Sequence, residues 1–374
     1  MNINILGVIN LGEREDHIRE LTPHRPLAAV PFGGRYRIID FMLSNFVNSG
    51  IDDVAVILKD KYHSINDHIS HGKDWDLDRR TGGLRMLYPD VSDGPSLSSG
   101  GDLPIIERNI SFFIKNRKDH VLLVRSNYIG NIDFNAPIND HIESGRDITV
   151  LTRTITKGRE RMELLGLDII VPENGRIRIG TNLGQHDEFD LSIEMYILKK
   201  EVFLDIVSRA IEDGRETYLK RIIINELTNY DAGKYVIPSD IMPIQSLQNY
   251  YNASMKILDE DYQKYLFYEN GKIYTKVKDA PSTLYLGNTD VNNSFIANGC
   301  IIEGTVENSI IFRNVHIKKD AVVRNSIIFQ DSVIGERSSL NNCILDKKVT
   351  IGNEKTLMGD GGSPYVIKKG AVLR

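Results

Sequence analysis

Asn308-Ser-Ile-Ile-Phe312, Asn325-Ser-Ile-Ile-Phe329 and Asn342-Cys-Ile-Leu-Asp346 stand 17 residues apart. Hexapeptide repeats wind into a parallel β-helix, in which three hexapeptides make a coil of about 18 residues. A 17-residue step is one coil with a single deletion. Aliphatic residues recur near every sixth position, at Ile317, Val323, Ile328, Ile334, Leu340, Leu345 and Ile351. Small or β-branched residues follow at Ala321, Ser332, Ser338 and Val349. Each coil then buries its apolar edge on its neighbours, so the array is a stack and not a separate enzyme core. The expectation is a C-terminal left-handed parallel β-helix over residues 285–374, serving as an assembly and regulatory platform. His316 is the only histidine in it and lies among aliphatic residues, which reads as structural and not as an acyl-transfer catalyst.

Upstream the texture changes to α/β. Residues 3–9, 54–58, 120–125 and 147–154 are β-rich, and residues 105–115 and 136–144 are apolar at helical spacing. This alternation predicts a Rossmann-type, mostly parallel sheet with helices on both faces, over residues 1–245. Ligands of such sheets bind beyond the carboxyl ends of the strands, here the loops after Ile9, Leu58 and Arg125. Residues 246–284 form the expected bridge. Tyr251, Met255, Leu258, Tyr262 and Tyr265 recur at three or four residues there, which predicts one amphipathic helix over 250–266.

A chain of 374 residues with a formal charge of −5 is long enough for two cores and has no basic excess for nucleic acid. Cys300 and Cys343 make neither a disulfide framework nor a metal knuckle. The N-terminus reads as a first strand and not as a signal peptide. No apolar run approaches the roughly 20 residues that span a bilayer. The expected location is the cytoplasm. His63, His68 and His71 lack the carboxylate or cysteine pattern of a metal site, and the Gly/Ser-rich residues 92–101 read as a surface loop.

Residues 21–51 (LTPHRPLAAVPFGGRYRIIDFMLSNFVNSGI) resemble the signature of ADP-glucose pyrophosphorylases, which join ATP and glucose-1-phosphate using Mg²⁺. Residues 75–87 and 244–258 resemble further stretches of that family, so the likeness covers nearly the whole chain. It implies a nucleotidyltransferase-like domain followed by a β-helix.

The departures from the family pattern are specific. The family's glycine-rich phosphate loop G-G-x-G-x-R-L is replaced by residues 12–18 (GEREDHI), where Glu13, Glu15 and Asp16 oppose a phosphate. Leu27 stands where the family has a lysine. Asn127 and Pro243 stand where it has its two Mg²⁺-holding aspartates. Its sugar-phosphate motif E-K-P gives way to residues 178–187, and only Ser192 matches a sugar-contacting serine.

The resemblance therefore implies no catalytic residues and no metal of its own. It points to the non-catalytic D-type class, which pairs with a catalytic subunit in glycogen synthesis, and so implies a hetero-oligomer, a tetramer in the family's manner. Family effectors are phosphorylated sugars or small anions held by basic residues between the two domains. His24, Arg25 and Arg37 match those positions, and Arg35 lies beside them. Two alternatives stay open at this stage. One is an active transferase using Asp102, Asp133 or Asp240 as displaced metal ligands, and the other is a stand-alone sugar-nucleotide sensor.

Overall fold

The computed structural model describes residues 4–12, 15–59, 61–89, 101–173 and 175–374. Nine strands form the main sheet: β1 (Ile5–Asn10), β2 (Asp53–Ile57), β3 (Gly83–Leu87), β4 (His120–Arg125), β5 (Ile148–Ile155), β6 (Asp168–Glu173), β7 (Arg176–Thr181), β8 (Phe189–Lys199) and β9 (Ala232–Val236). Strands β3, β2, β1 and β4 are parallel neighbours. β8 runs against both β4 and β5, and β9 pairs β5 in parallel. β6 and β7 form a hairpin on the edge of β8. Apart from β8 and β7 the strands all run one way, which is the mostly parallel sheet expected.

β1 is buried along its whole length, as a central strand covered on both faces must be. Its side chains alternate: Ile5 and Ile9 enter one apolar cluster, Leu6 and Val8 the other. The first cluster contains α1 (Ile38–Asn48) and the second is covered by the helices Lys200–Asp213 and Leu219–Glu226. Gly7 is required by this packing, since a Cβ there would lie 2.6 Å from the Phe46 ring of α1. The run at 105–115 is two short helices, Leu103–Arg108 and Ile110–Lys115, meeting at Asn109.

The C-terminal array is a left-handed β-helix whose three faces are parallel sheets of six, five and five strands. His316 aligns with Val333 and Val333 with Thr350, the 17-residue step read from the sequence. The last coil is longer, since Thr350 aligns with Val372. The recurring asparagines turn the corners: Asn308, Asn325 and Asn342 have φ of 46°, 45° and 51°. Asparagine tolerates this left-handed region better than most side chains. Below them a serine ladder is closed, Ser309 Oγ accepting from Ser326 N and Ser326 Oγ from Cys343 N, both at 3.1 Å.

The expected bridge helix is divided in two, Leu247–Lys256 and Glu260–Tyr268. The break follows from capping, because Asp259 accepts from Tyr262 N at 2.8 Å and starts a second helix. Both helices join a third core that includes Phe32 and Phe41 on one side and Phe312, Phe329 and Ile344 of the β-helix on the other. Arg25 and Asp346 meet inside this interface at 2.7 Å. No helix among the described residues is long and apolar enough to cross a membrane.

Two predictions follow from the packing. Arg25→Ala leaves the Asp346 carboxylate buried and unpaired, and should destabilise the protein by about 3–5 kcal/mol in urea unfolding. A loss below about 1 kcal/mol would show that the pair is dispensable. His141, fully buried and bonded to Thr149 Oγ1 at 2.8 Å, has its pKa pushed down to about 4, by burial first and then by His120 and Lys199. The unfolded chain takes up this proton at higher pH than the folded one, so stability falls as pH drops from 6.5 toward 4. The loss should reach about 3 kcal/mol, and His141→Gln should flatten that part of the pH–stability curve.

Candidate functional site

The strand ends place the mouth where the parallel sheet puts a ligand site. Glu13 and Arg14, and residues 92–100 of the Gly/Ser-rich loop, lie outside the described residues. Glu15 is not simply solvated, as the sequence suggested. Its carboxylate accepts from Leu27 N at 2.8 Å and pairs with Lys61 at 2.8 Å. Lys61 also donates to Thr22 O at 2.7 Å. A cation does reach the neighbourhood of Leu27, from another loop, but a protein carboxylate already occupies it. Asp16 pairs with Arg19. Deeper in, Glu194 sits at a β-bulge with φ of 54° and meets Arg125 at 3.3 Å and Lys220 at 2.6 Å. Lys220 also meets Asp168 at 2.7 Å. Ser192 is buried, and its Oγ lies 3.4 Å from Glu194 N as acceptor. Lys61, Arg125 and Lys220 therefore all face carboxylates of the chain itself.

Asn127 and Pro243 are far apart in sequence but adjacent in space. Tyr128 pairs with Pro243 and Met242 with Ile129 in a short antiparallel bridge. Ile244 N donates to Asn127 O at 2.7 Å, and Asn127 Nδ2 donates to Ile244 O at 3.3 Å. Asn127 Oδ1 is buried without a hydrogen-bond partner. One neutral oxygen beside a proline does not fit Mg²⁺, which wants carboxylate and water oxygens in an octahedron. The displaced candidates are engaged elsewhere. Asp102 accepts from Asn10 and from Leu219 N. Asp133 accepts from Asn135 N at 2.9 Å. Asp240 pairs with Arg153 and Lys256. Among the described residues no group of three or more His, Cys, Asp or Glu could hold a metal ion. His68 is buried on Asp40 at 2.6 Å, while His63 is exposed, its ring 4.9 Å from that of Tyr62 and tilted by 38°. His316 pairs with Glu303 at 3.1 Å.

The second site lies between the α/β sheet and the β-helix. Its cavity is lined by Arg35 and Arg37, by Lys276 and Lys278 from the bridge, and by Arg313 and Lys347 from the β-helix. Asp331 is the one carboxylate in the lining. The structure brings Arg35 and Arg37 into this cavity but not His24, which is exposed elsewhere, or Arg25. Arg25 is spent on Asp346 and lies over the Phe329 ring at 5.6 Å. The sequence reading missed Lys276, Lys278, Arg313 and Lys347, which no local motif marks. Their crowding shows in their protonation. Burial, then Arg37 and Arg25, pushes Lys347 down to about 7. Burial and Arg37 also lower Lys278, and burial and Arg35 lower Arg313.

A short helix, α2 (His63–Ile69), lies between cavity and mouth. Arg37 donates to Ser64 O, Lys276 to Asp67 O, and His68 lines the cavity. Just before this helix stands Lys61, the partner of Glu15 in the mouth.

Comparison with known proteins accords with this geometry. The pattern of the nucleotidyl transferase family matches residues 12–260, and that of the GlmU-like C-terminal hexapeptide matches residues 285–361. The glycogen biosynthesis protein GlgD of Geobacillus stearothermophilus is 36% identical over 332 residues, covering 86% of this chain and 84% of the relative. GlgD of Bacillus subtilis (strain 168) is 33% identical over 371 residues, covering 99% and 97%. A glucose-1-phosphate adenylyltransferase of Geobacillus stearothermophilus is 30% identical, covering 86% and 84%. With this sequence likeness and a nucleotidyltransferase sheet joined to a hexapeptide β-helix, the chain belongs to the ADP-glucose pyrophosphorylase-like nucleotidyl transferases, in their GlgD-type branch.

Proposed function

We propose that this chain is a non-catalytic regulatory subunit of glucose-1-phosphate adenylyltransferase. It pairs with the catalytic subunit in a hetero-oligomer, a tetramer in the simplest form, and works in the cytoplasm in ADP-glucose synthesis for glycogen. The observation that carries this reading is the bridge joining Asn127 to the Pro243 strand, where the family has its two metal aspartates. Nucleotidyl transfer depends on metal-assisted neutralisation of the phosphates. Here neither position carries a charge, and the nearby cations face carboxylates. The loss should amount to several orders of magnitude in rate.

Regulation is assigned to the basic cavity, as the site of a phosphorylated small molecule. Among the described residues, none of its six lining Lys and Arg side chains forms an ion pair with a carboxylate. Arginine suits a phosphate because its planar fork donates two parallel hydrogen bonds. Contacts from the cavity to α2, and from Lys61 to Glu15, supply a path by which occupancy would alter the mouth. Such an effect needs only a difference in contact energy between two arrangements of the assembly.

The chain alone, given ATP, glucose-1-phosphate and Mg²⁺, should form no ADP-glucose. Adding it to the catalytic subunit of the same cell should raise the rate or shift the effector response. Turnover by the chain alone, with the mixture no faster than the sum of its parts, would refute the assignment. In the mixture, Arg35→Ala should weaken the effector response about tenfold without preventing assembly, the cost of one charge-assisted hydrogen bond. An unchanged effector titration would remove Arg35 from the site.

A further inference from the structure

We propose that the basic cavity takes up its anion together with a proton, and that Lys347 carries the proton. This rests on the reading of the cavity as an anion site. An arginine side chain does not give up its proton in the physiological range, so repulsion among the arginines of the lining cannot be relieved by deprotonation. Only the lysines can release a proton. Lys276 donates to Asp67 O. Lys347 has no carboxylate partner among the described residues.

The carboxylate nearest to Lys347 in sequence is already committed. One oxygen of Asp346 accepts from Arg25 at 2.7 Å, and the other accepts from Lys347's own backbone N at 2.6 Å. Asp331 on the cavity wall accepts from Asn314 Nδ2 at 3.2 Å. The groups around Lys347 are therefore Arg25, Arg35, Tyr36 and Arg37 from the N-terminal segment, Lys276 and Lys278 from the bridge, and Arg313, Asp331 and Asp346 from its own β-helix. His68 on α2 completes the lining, with Asp40 behind it, and burial lowers its pKa against the pull of Asp40. Cations outnumber carboxylates around this half-buried ammonium.

With the cavity empty, burial and the arginines bring Lys347 close to neutrality in the physiological range, at a pKa of about 7. A bound dianion supplies the missing counter-charge and raises that pKa. Binding then draws in a proton whenever the solution pH exceeds the empty-site value. Affinity is greatest below pH 7 and falls by up to about tenfold per pH unit above it, until the pH passes the bound-site value. The cavity would thus read acidity and anion concentration together.

The test is calorimetric titration of the full chain with inorganic sulfate at about pH 6 and about pH 8.5, each in two buffers of different ionisation enthalpy. Sulfate stays a dianion throughout, whereas a phosphate group titrates near pH 6 itself. Sulfate should bind about tenfold or more weakly at the higher pH, with close to one proton taken up there. Lys347→Arg keeps the charge and cannot release it, so it should bind tightly at both pH values without proton uptake. Lys347→Met should bind weakly at both.

Wild-type binding that does not depend on pH would overturn the proton linkage and leave the anion site standing. A pH dependence that persists in both variants would assign the proton to another group and equally overturn the role of Lys347. No sulfate binding at either pH would remove the anion site itself. Thermal unfolding of each variant at wild-type temperature confirms that the comparison is between folded proteins.

Discussion

The buried pair of Arg25 and Asp346 fixes how the two halves of this chain meet. It lies inside an apolar core built from Ile18, Leu21, Phe32 and Phe41 on the α/β side and from Phe312, Phe329 and Ile344 on the β-helix. A lone charge would be intolerable there, so each partner requires the other. Tyr251 adds a hydrogen bond from its OH to Asn325 O at 2.7 Å, and Tyr250 OH donates to Pro31 O at 2.6 Å. These contacts hold the GGRYR segment against the β-helix. The basic cavity exists only because of that apposition, since its walls come from both sides.

Mouth and cavity are electrostatic opposites. In the mouth the chain supplies its own anions: Glu15 to Lys61, and Glu194 to Arg125 and Lys220. A phosphate arriving there would have to displace carboxylates that are already bonded. In the cavity six Lys and Arg side chains converge on a single carboxylate, Asp331. Positive charge left uncompensated at an interface has a cost, which a bound anion would offset. The same fold thus has its cations paired at one end of its sheet and gathered with few carboxylates at a junction. Helix α2 borders the cavity, and Lys61 just before it reaches the mouth.

Much of the architecture was legible from the chain alone. The 17-residue step, the aliphatic sixths and the recurrent asparagines describe a β-helix, because each coil repeats the same corner and the same buried edge. The α/β half was legible as alternation of strand-like and helix-like runs. Helix breaks were not legible: apolar spacing runs straight through residues 105–115 and 250–266, while the first run breaks at Asn109 and the second where the Asp259 side chain caps a new helix. Arg25 was expected at an anion and instead sits on Asp346, a partner 321 residues away that no pattern could connect to it.

Composition, period and motif thus determined the two architectures and their order in the chain, because those properties reside in neighbouring residues. The tertiary structure alone decided which charges are spent and which remain. Lys61 reaches Glu15 from another loop, and Lys276, Lys278, Arg313 and Lys347 converge with Arg35 and Arg37 from three separate parts of the chain. Electrostatic energy depends on distances in space and on local dielectric, and neither is set by separation along a sequence.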